Sequence, residues 1–166
     1  MKNRIAISIL LCAVIGFFIL CTKKEPVKTA SGEFKITNLV FCSEEPEGYM
    51  KYDEQPDAKY KPGDVIWIYM NLNNVKYNTI SDGSYQIHIP EHLVVKSPKS
   101  EILLDLNLLD DPISFPKERD MNQIYLTNNI NTVEGLEDGE YEVDITINDK
   151  LSNRLASATT KFHLKK

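Results

Sequence analysis

The side chains best suited to chemistry lie close together near the middle of the chain. His88 and His92 flank Glu91, and on a helix this spacing would put two imidazole zinc ligands beside a carboxylate that activates the metal-bound water. Pro90 removes a backbone donor from the stretch and restricts Ile89 to extended backbone, so a helix is disfavoured here. We therefore predict surface histidines that flank a turn between strands, with a weak adventitious metal site as the alternative.

Acidic side chains cluster around residues 44–47, 53–57 and 105–111. None of these clusters has the Asp-x-Asn-x-Asp-Gly spacing of a calcium loop. We expect solvated loop charge, and calcium bound between loops at one end of the domain is the alternative. The chain also has no G-x-S-x-G or S-x-x-K motif and no phosphate-cradling glycine loop. The sequence therefore predicts a protein that is not an enzyme and has no cofactor and no metal site.

Aromatic side chains gather on one predicted strand and in the loops around it. Trp67 and Tyr69 share one strand face, and the loops carry Tyr49, Tyr52, Tyr60 and Tyr77. Such a group could form a platform for a sugar or a protein partner, with Trp67, Tyr69 and Tyr77 as possible contacts. The alternative, which we favour, places Trp67 in the core between two sheets.

The elements that position these residues are short strands. β-branched and aromatic residues alternate with polar ones between turn signals, a period of two and not 3.6. Strands are predicted at 34–42, 65–72, 84–89, 93–97, 102–106, 123–127, 140–148 and 158–164. Leucines between 101 and 109 would also suit a short helix, which Asp105 and Asn107 disfavour. The pattern predicts an all-β domain over 33–166, an antiparallel sandwich of about seven to nine strands or a barrel.

Two local motifs resemble those of immunoglobulin-like domains. Leu136-Glu137-Asp138-Gly139-Glu140-Tyr141 resembles the tyrosine corner, in which a tyrosine hydroxyl returns to the backbone upstream. Tyr60-Lys61-Pro62-Gly63-Asp64 resembles a Tyr-x-Pro-Gly-Asp turn that leads into an early strand of secreted modules, and its Pro-Gly pair suits a type II turn. The final hairpin is similar to the closing strands of such modules in envelope lipoproteins. These resemblances imply an immunoglobulin-like sandwich and carry no active site.

The N-terminus has the layout of a secretory signal. Lys2 and Arg4 precede an apolar run over 5–20, which ends at Cys21 and a polar stretch. This arrangement resembles the lipobox of bacterial lipoproteins, which implies acylation of Cys21, although Leu20 stands where that family has a small residue. We predict a signal peptide over 1–20 and a lipidated cysteine with a flexible tether over 21–32. An uncleaved helical anchor is the alternative.

Net charge and cysteine content limit the functions that the chain can have. The formal net charge is −5, and loss of the basic signal segment would make the remainder more acidic, which argues against a nucleic-acid partner. After Cys21 the only thiol is Cys42, in an apolar run typical of a small buried residue.

From these features we expect a non-catalytic envelope lipoprotein, facing outward from the membrane, that binds an unknown protein or glycan through loops or by strand addition at a sheet edge. The main alternative is a protease-inhibitor-like sandwich with contact loops near Pro62, Asp82-Gly83 and Asn128-Asn129. A carbohydrate-binding accessory domain is a further alternative.

Overall fold

The computed structural model describes residues 32–166, and this part of the chain is all-β, with 11 strands and no helix. The strands are β1 Lys35–Cys42, β2 Lys59–Tyr60, β3 Val65–Asn73, β4 Asn78–Thr79, β5 Tyr85–Ile87, β6 Glu91–Lys96, β7 Ile102–Leu108, β8 Ile113–Phe115, β9 Ile124–Asn131, β10 Gly139–Asp149 and β11 Arg154–Leu164. Every predicted strand is present, and the three additional ones are two or three residues long. The predicted signal segment and Cys21 lie outside the described residues.

The strands form two packed layers and one small sheet. The first layer has the order β1-β3-β9, the second has the order β2-β11-β10-β6-β7, and the small sheet has the order β4-β5-β8. All strand pairs are antiparallel except β2 with β11. No helix among residues 32–166 is long and apolar enough to cross a membrane.

Apolar side chains at every second strand position fill the space between the two large sheets. In β10 the odd-numbered residues from Tyr141 to Ile147 are buried, as the sequence predicts. In β3, Ile66, Ile68 and Met70 lie in the core, and Trp67 on the opposite face is half-buried. The prediction of a core tryptophan is therefore wrong, because the branched and flexible side chains of the other strand face fill that place.

Both resemblances to immunoglobulin-like turns are confirmed by hydrogen bonds. The Tyr141 hydroxyl donates to the Glu137 carbonyl at 2.8 Å, which is the tyrosine-corner bond, and the Tyr141 side chain is buried. In the other turn the Asp64 amide donates to the Lys61 carbonyl at 3.0 Å, and Gly63 has φ +98°. A positive φ at the third turn residue is what a type II turn requires.

One end of the sandwich is marked by the start of the described chain, and we call it the tether end. Arg154, at the start of β11, donates to the carbonyls of Gly32 at 3.0 Å and Asn74 at 2.7 Å. The register of the sheets places the last residues of β3 and β10 and the first residues of β6 and β9 at this same end. Gly32, the first described residue, therefore lies next to these strand ends.

Cys42 lies in the core, as predicted. The residue is fully buried, and burial raises the pKa of its thiol to about 11. A thiol with so high a pKa carries almost no thiolate at neutral pH, so it acts as a small apolar side chain.

Candidate functional site

The two large sheets differ in width, and this leaves one side of the sandwich open. β7 ends the five-stranded sheet and β9 ends the three-stranded sheet, and both line the same two cavities. We call the gap between these two strands the open side. Each of the two strands pairs with a neighbour on one edge only among the described residues.

The open side exposes apolar residues that face the interior of the sandwich. Leu104, Leu106 and Leu108 are opposite Val95, Leu93 and Glu91, all of which are buried. In spite of this inward direction, Leu106 is 41% exposed, and its two neighbours on that face are only partly buried. Asn128 of β9 bonds to Glu91 of β6, so β9 lies across from β6, and the inner face of β7 beyond it is incompletely covered.

Two cavities follow the open side. The cavity nearer the tether end has a volume of about 910 Å³ and lies between Leu108, Ile124 and Leu126. Phe115 at the end of β8 and Arg119 in the β8–β9 connection lie at its rim. A second cavity of about 290 Å³ lies further along, between Leu104 and Ile130. Their walls are mostly apolar with a few polar groups among them, which is typical of pockets that bind small molecules or apolar groups.

The rim of the larger cavity is stabilised by an arginine guanidinium that contacts two aromatic rings. The Arg119 guanidinium carbon lies 5.8 Å from the centre of the Phe115 ring and 5.9 Å from that of Tyr125. The same guanidinium donates to the Gln123 carbonyl at 2.8 Å. Cation–π contact and a backbone hydrogen bond together fix the β8–β9 connection as one wall of the cavity.

A buried carboxyl group lines the same cavity. Glu91 is 2% exposed. The side-chain amide of Asn128 donates to Oε1 of Glu91 at 2.6 Å, and this hydrogen bond links β6 to β9 across the sandwich. Burial raises the pKa of Glu91, and the hydrogen bond from Asn128 opposes part of that rise. No group of three or more His, Cys, Asp or Glu residues that could hold a metal ion occurs within residues 32–166.

The raised pKa predicts a pH-dependent effect of Glu91→Gln. Because the folded state keeps the Glu91 proton to higher pH than the unfolded chain, the charged carboxylate costs stability at pH 7. Glutamine is neutral and keeps an Oε1 acceptor for Asn128, so we expect a higher Tm than wild type at pH 7. The gain should vanish below about pH 4.3, where the carboxyl is neutral in both states. Unfolding followed by Trp67 fluorescence measures it, because Trp67 is the only tryptophan.

The matched control for this variant is Glu118→Gln. Glu118 lines the same cavity but its side chain is 70% exposed, so we expect no pH-dependent change in Tm. A gain for Glu91→Gln that is equal at every pH, or a loss at pH 7, would contradict a raised pKa.

The three chemistry-capable residues of 88–92 all line one cavity of about 470 Å³, but their side chains have different partners. Glu91 points into the sandwich, whereas His92 is exposed and its Nε2 lies 2.7 Å from Oδ1 of Asp105. His88 is partly buried, and its Nε2 lies 2.8 Å from the Asp110 carbonyl. Because successive strand residues point to opposite faces, neighbours such as Glu91 and His92 do not converge. The prediction of histidines next to a turn between strands is confirmed, and Glu91 is the residue whose burial the sequence reasoning missed.

The three aromatic residues named as possible contacts do not form one surface. Tyr69 is fully buried, and its hydroxyl accepts a hydrogen bond from the Met50 backbone amide at 2.9 Å. The centre of its ring lies 4.3 Å from the centre of the Tyr52 ring. Tyr77 packs against Tyr85 at 5.0 Å, beside the small sheet. Trp67 is half-buried on the outer face of β3. Ligand contact by Trp67 or Tyr77 stays a prediction, while Tyr69 is covered by the loop between β1 and β2.

Comparisons with known proteins leave the family open. No family model matches the chain, and no curated protein matches its sequence. Among solved structures, the C-terminal domain of wzt is 10% identical, with 82% of this chain and 76% of that chain covered and a TM-score of 0.45. A Niemann-Pick type C2 protein from the Japanese carpenter ant is 10% identical, with 85% and 100% covered and a TM-score of 0.40.

A third similar structure is an immunoglobulin-like protein from Pseudomonas aeruginosa. It is 13% identical, with 86% of this chain and 99% of that chain covered and a TM-score of 0.38. Likenesses at this level name no family for this chain. By its own packed antiparallel sheets and its tyrosine corner, the described part of the chain is an immunoglobulin-like β-sandwich.

Proposed function

We propose that the chain is a non-catalytic binding module, anchored in a membrane through its N-terminus and facing outward, that binds another component of the cell envelope on the open side of its sandwich. The anchor is the acylated Cys21 or an uncleaved helix over 5–20. The partner is a protein or glycan of the envelope or its surroundings.

The observation that carries this proposal is the incomplete burial of the inward face of β7. Full burial of one leucine side chain stabilises a protein by roughly 1.5–3 kcal/mol. Leu106 on this face is 41% exposed, and Leu103, which lines the smaller cavity, is 42% exposed. Ile102, which is 61% exposed, pairs with Lys96 and lies on the outward face. A partner that covers this strand would gain apolar burial that the domain alone does not achieve.

The position of the tether supports the same proposal. The larger cavity and the start of the described chain at Gly32 lie at one end of the sandwich. A flexible tether of 11 residues, 22–32, spans roughly 18 Å on average. The open side would thus stand close to the membrane surface, where other envelope components are concentrated.

The protease-inhibitor alternative has less support. Its three contact segments do not form one edge: Pro62 precedes β3 at the end opposite the tether, while Asp82 and Gly83 lie in the β4–β5 turn near the tether end. Asn128 and Asn129, predicted in a loop, lie inside β9, because Asn128 faces inward to Glu91 and the strand continues to Asn131. An inhibitor needs loops that converge on one cleft.

The experiment that tests the proposal places a photocrosslinking amino acid at position 106 or position 159 of the full chain in intact cells. Leu106 lies on the open side, and Thr159 is exposed on the outer face of the same five-stranded sheet. We expect a discrete protein or glycan adduct from position 106 and none of the same mass from position 159. Identical adducts from both positions, or none from position 106, would overturn the proposal.

A further inference from the structure

We infer that the occupant of the open side is an extended polypeptide segment that adds to the free edge of β7 as a new strand, with apolar side chains directed inward and basic side chains directed outward. The inference rests on the proposed function and names the chemistry of the partner.

The first support is the unpaired backbone of β7. The strand pairs with β6 from Val95↔Leu104 to Glu91↔Leu108, and its other edge has no neighbour among the described residues. Seven residues of extended backbone therefore present a row of amide and carbonyl groups to a partner.

The second support is that β7 lacks most of the features that protect sheet edges. Natural edges are blunted by lysine, proline, β-bulges, inward-pointing charge or very short length. The one irregularity of β7 is a register shift at Leu103, between the pairs Lys96↔Ile102 and Val95↔Leu104, and residues 104–108 pair in regular register. β7 contains no lysine and no proline, and its one charged residue, Asp105, is opposite Val94 on the outward face with His92 beside it. The inward positions are leucines, so an added strand would find an apolar surface on that face.

The third support is the shape of the gap. An added strand would lie beside β7, on the edge away from β6, next to the cavities that Leu104 and Leu108 of β7 line together with Ile124, Leu126 and Ile130 of β9. Side chains at every second position of the added strand would point to the same face as Leu106 and pack beside it. An extended segment matches such a surface because its own side chains alternate with a period of two.

The negative charge of the chain around β7 favours basic side chains at the outward positions of the partner. Between residues 101 and 111 the chain has Glu101, Asp105, Asp110 and Asp111 and neither lysine nor arginine. Opposite charges on neighbouring strands stabilise a pair, and like charges directly opposite each other destabilise it. A segment with Lys or Arg at its outward positions therefore fits β7 better than an acidic segment. A second copy of β7, which would bring the same carboxylates, fits worse.

The test selects peptides of about nine residues from a randomised display library on the full chain in zwitterionic nanodiscs. Peptides that also bind the Leu106→Asp variant in the same nanodiscs are discarded. We expect the enriched peptides to alternate apolar residues with Lys or Arg. N-methylation at every second residue in one register should weaken binding about tenfold or more, because those amides bond to β7, while the other register should change it less than about twofold.

Other outcomes assign the open side differently. Enriched peptides without a two-residue period, or binding that is insensitive to N-methylation in both registers, would overturn strand addition. Failure to enrich any peptide over the Leu106→Asp variant would do the same, and so would self-association of the wild type that this variant abolishes. The adduct at position 106 in intact cells is independent of these results, so strand addition can fail while the proposed function stands.

Discussion

Replacement of Asp149 by alanine is expected to lower the free energy of unfolding by about 3–5 kcal/mol, because it leaves a partly buried arginine without its counter-charge. Asp149 is fully buried at the end of β10, and its Oδ2 accepts hydrogen bonds from the Lys76 amide at 3.0 Å, from Ser152 Oγ at 2.5 Å and from Arg154 at 3.0 Å. No exposed side chain of the domain has so many partners to lose.

This ion pair also holds the tether end together. The Arg154 guanidinium lies 5.6 Å from the centre of the Phe34 ring and donates to the carbonyls of Gly32 and Asn74. Loss of Asp149 frees the guanidinium and with it the first described residues and the β3–β4 connection. We therefore expect the stability loss to be accompanied by faster hydrogen exchange at residues 32–35, next to the predicted tether.

Denaturant unfolding followed by Trp67 fluorescence measures this effect. The matched control is Asp57→Ala, since Asp57 pairs with Lys59 at 3.5 Å but the two side chains are 76% and 67% exposed. We expect that variant to lose less than about 0.5 kcal/mol. A loss below about 1 kcal/mol for Asp149→Ala would contradict the role assigned to the buried pair.

The sequence predicts the strands well because alternation is a local property. β3, β10 and β11 can be identified from their own residues, and the tyrosine corner at Tyr141 is a short motif with its own hydrogen bond. Asp105 and Asn107 rightly favour a strand over a helix for β7. Each of these features depends on neighbours within a few residues.

The open side could not be predicted in this way. Whether Leu106 is covered depends on which strand lies across from β7, and that depends on strand order, which no local pattern records. The same reason applies to Glu91, which reads as a surface residue beside histidines and becomes buried through Asn128 of a strand 37 residues away. The one indication in the sequence is that Glu91 occupies the same alternating strand position as Leu93 and Val95, which face inward.

The second large effect is expected at Leu106, and it concerns binding and not stability. A carboxylate at position 106 would lie between the leucines of the inward face of β7 and would disfavour any partner that buries this strand. Because Leu106 is already 41% exposed, we expect Leu106→Asp to change the free energy of unfolding by no more than about 1 kcal/mol. Leu155→Asp, on the outer face of β11 where Leu155 is 66% exposed, is the matched control.

Hydrogen exchange of β7 in envelope vesicles from the source cells is the measurement that bears most directly on the open side as the binding face. We expect wild-type amides of 102–108 to exchange about tenfold or more slowly in these vesicles than in the purified full chain in plain nanodiscs. Leu106→Asp should abolish that protection and Leu155→Asp should keep it. Equal exchange of wild-type β7 in both settings, with protection only at other strands, would contradict the account.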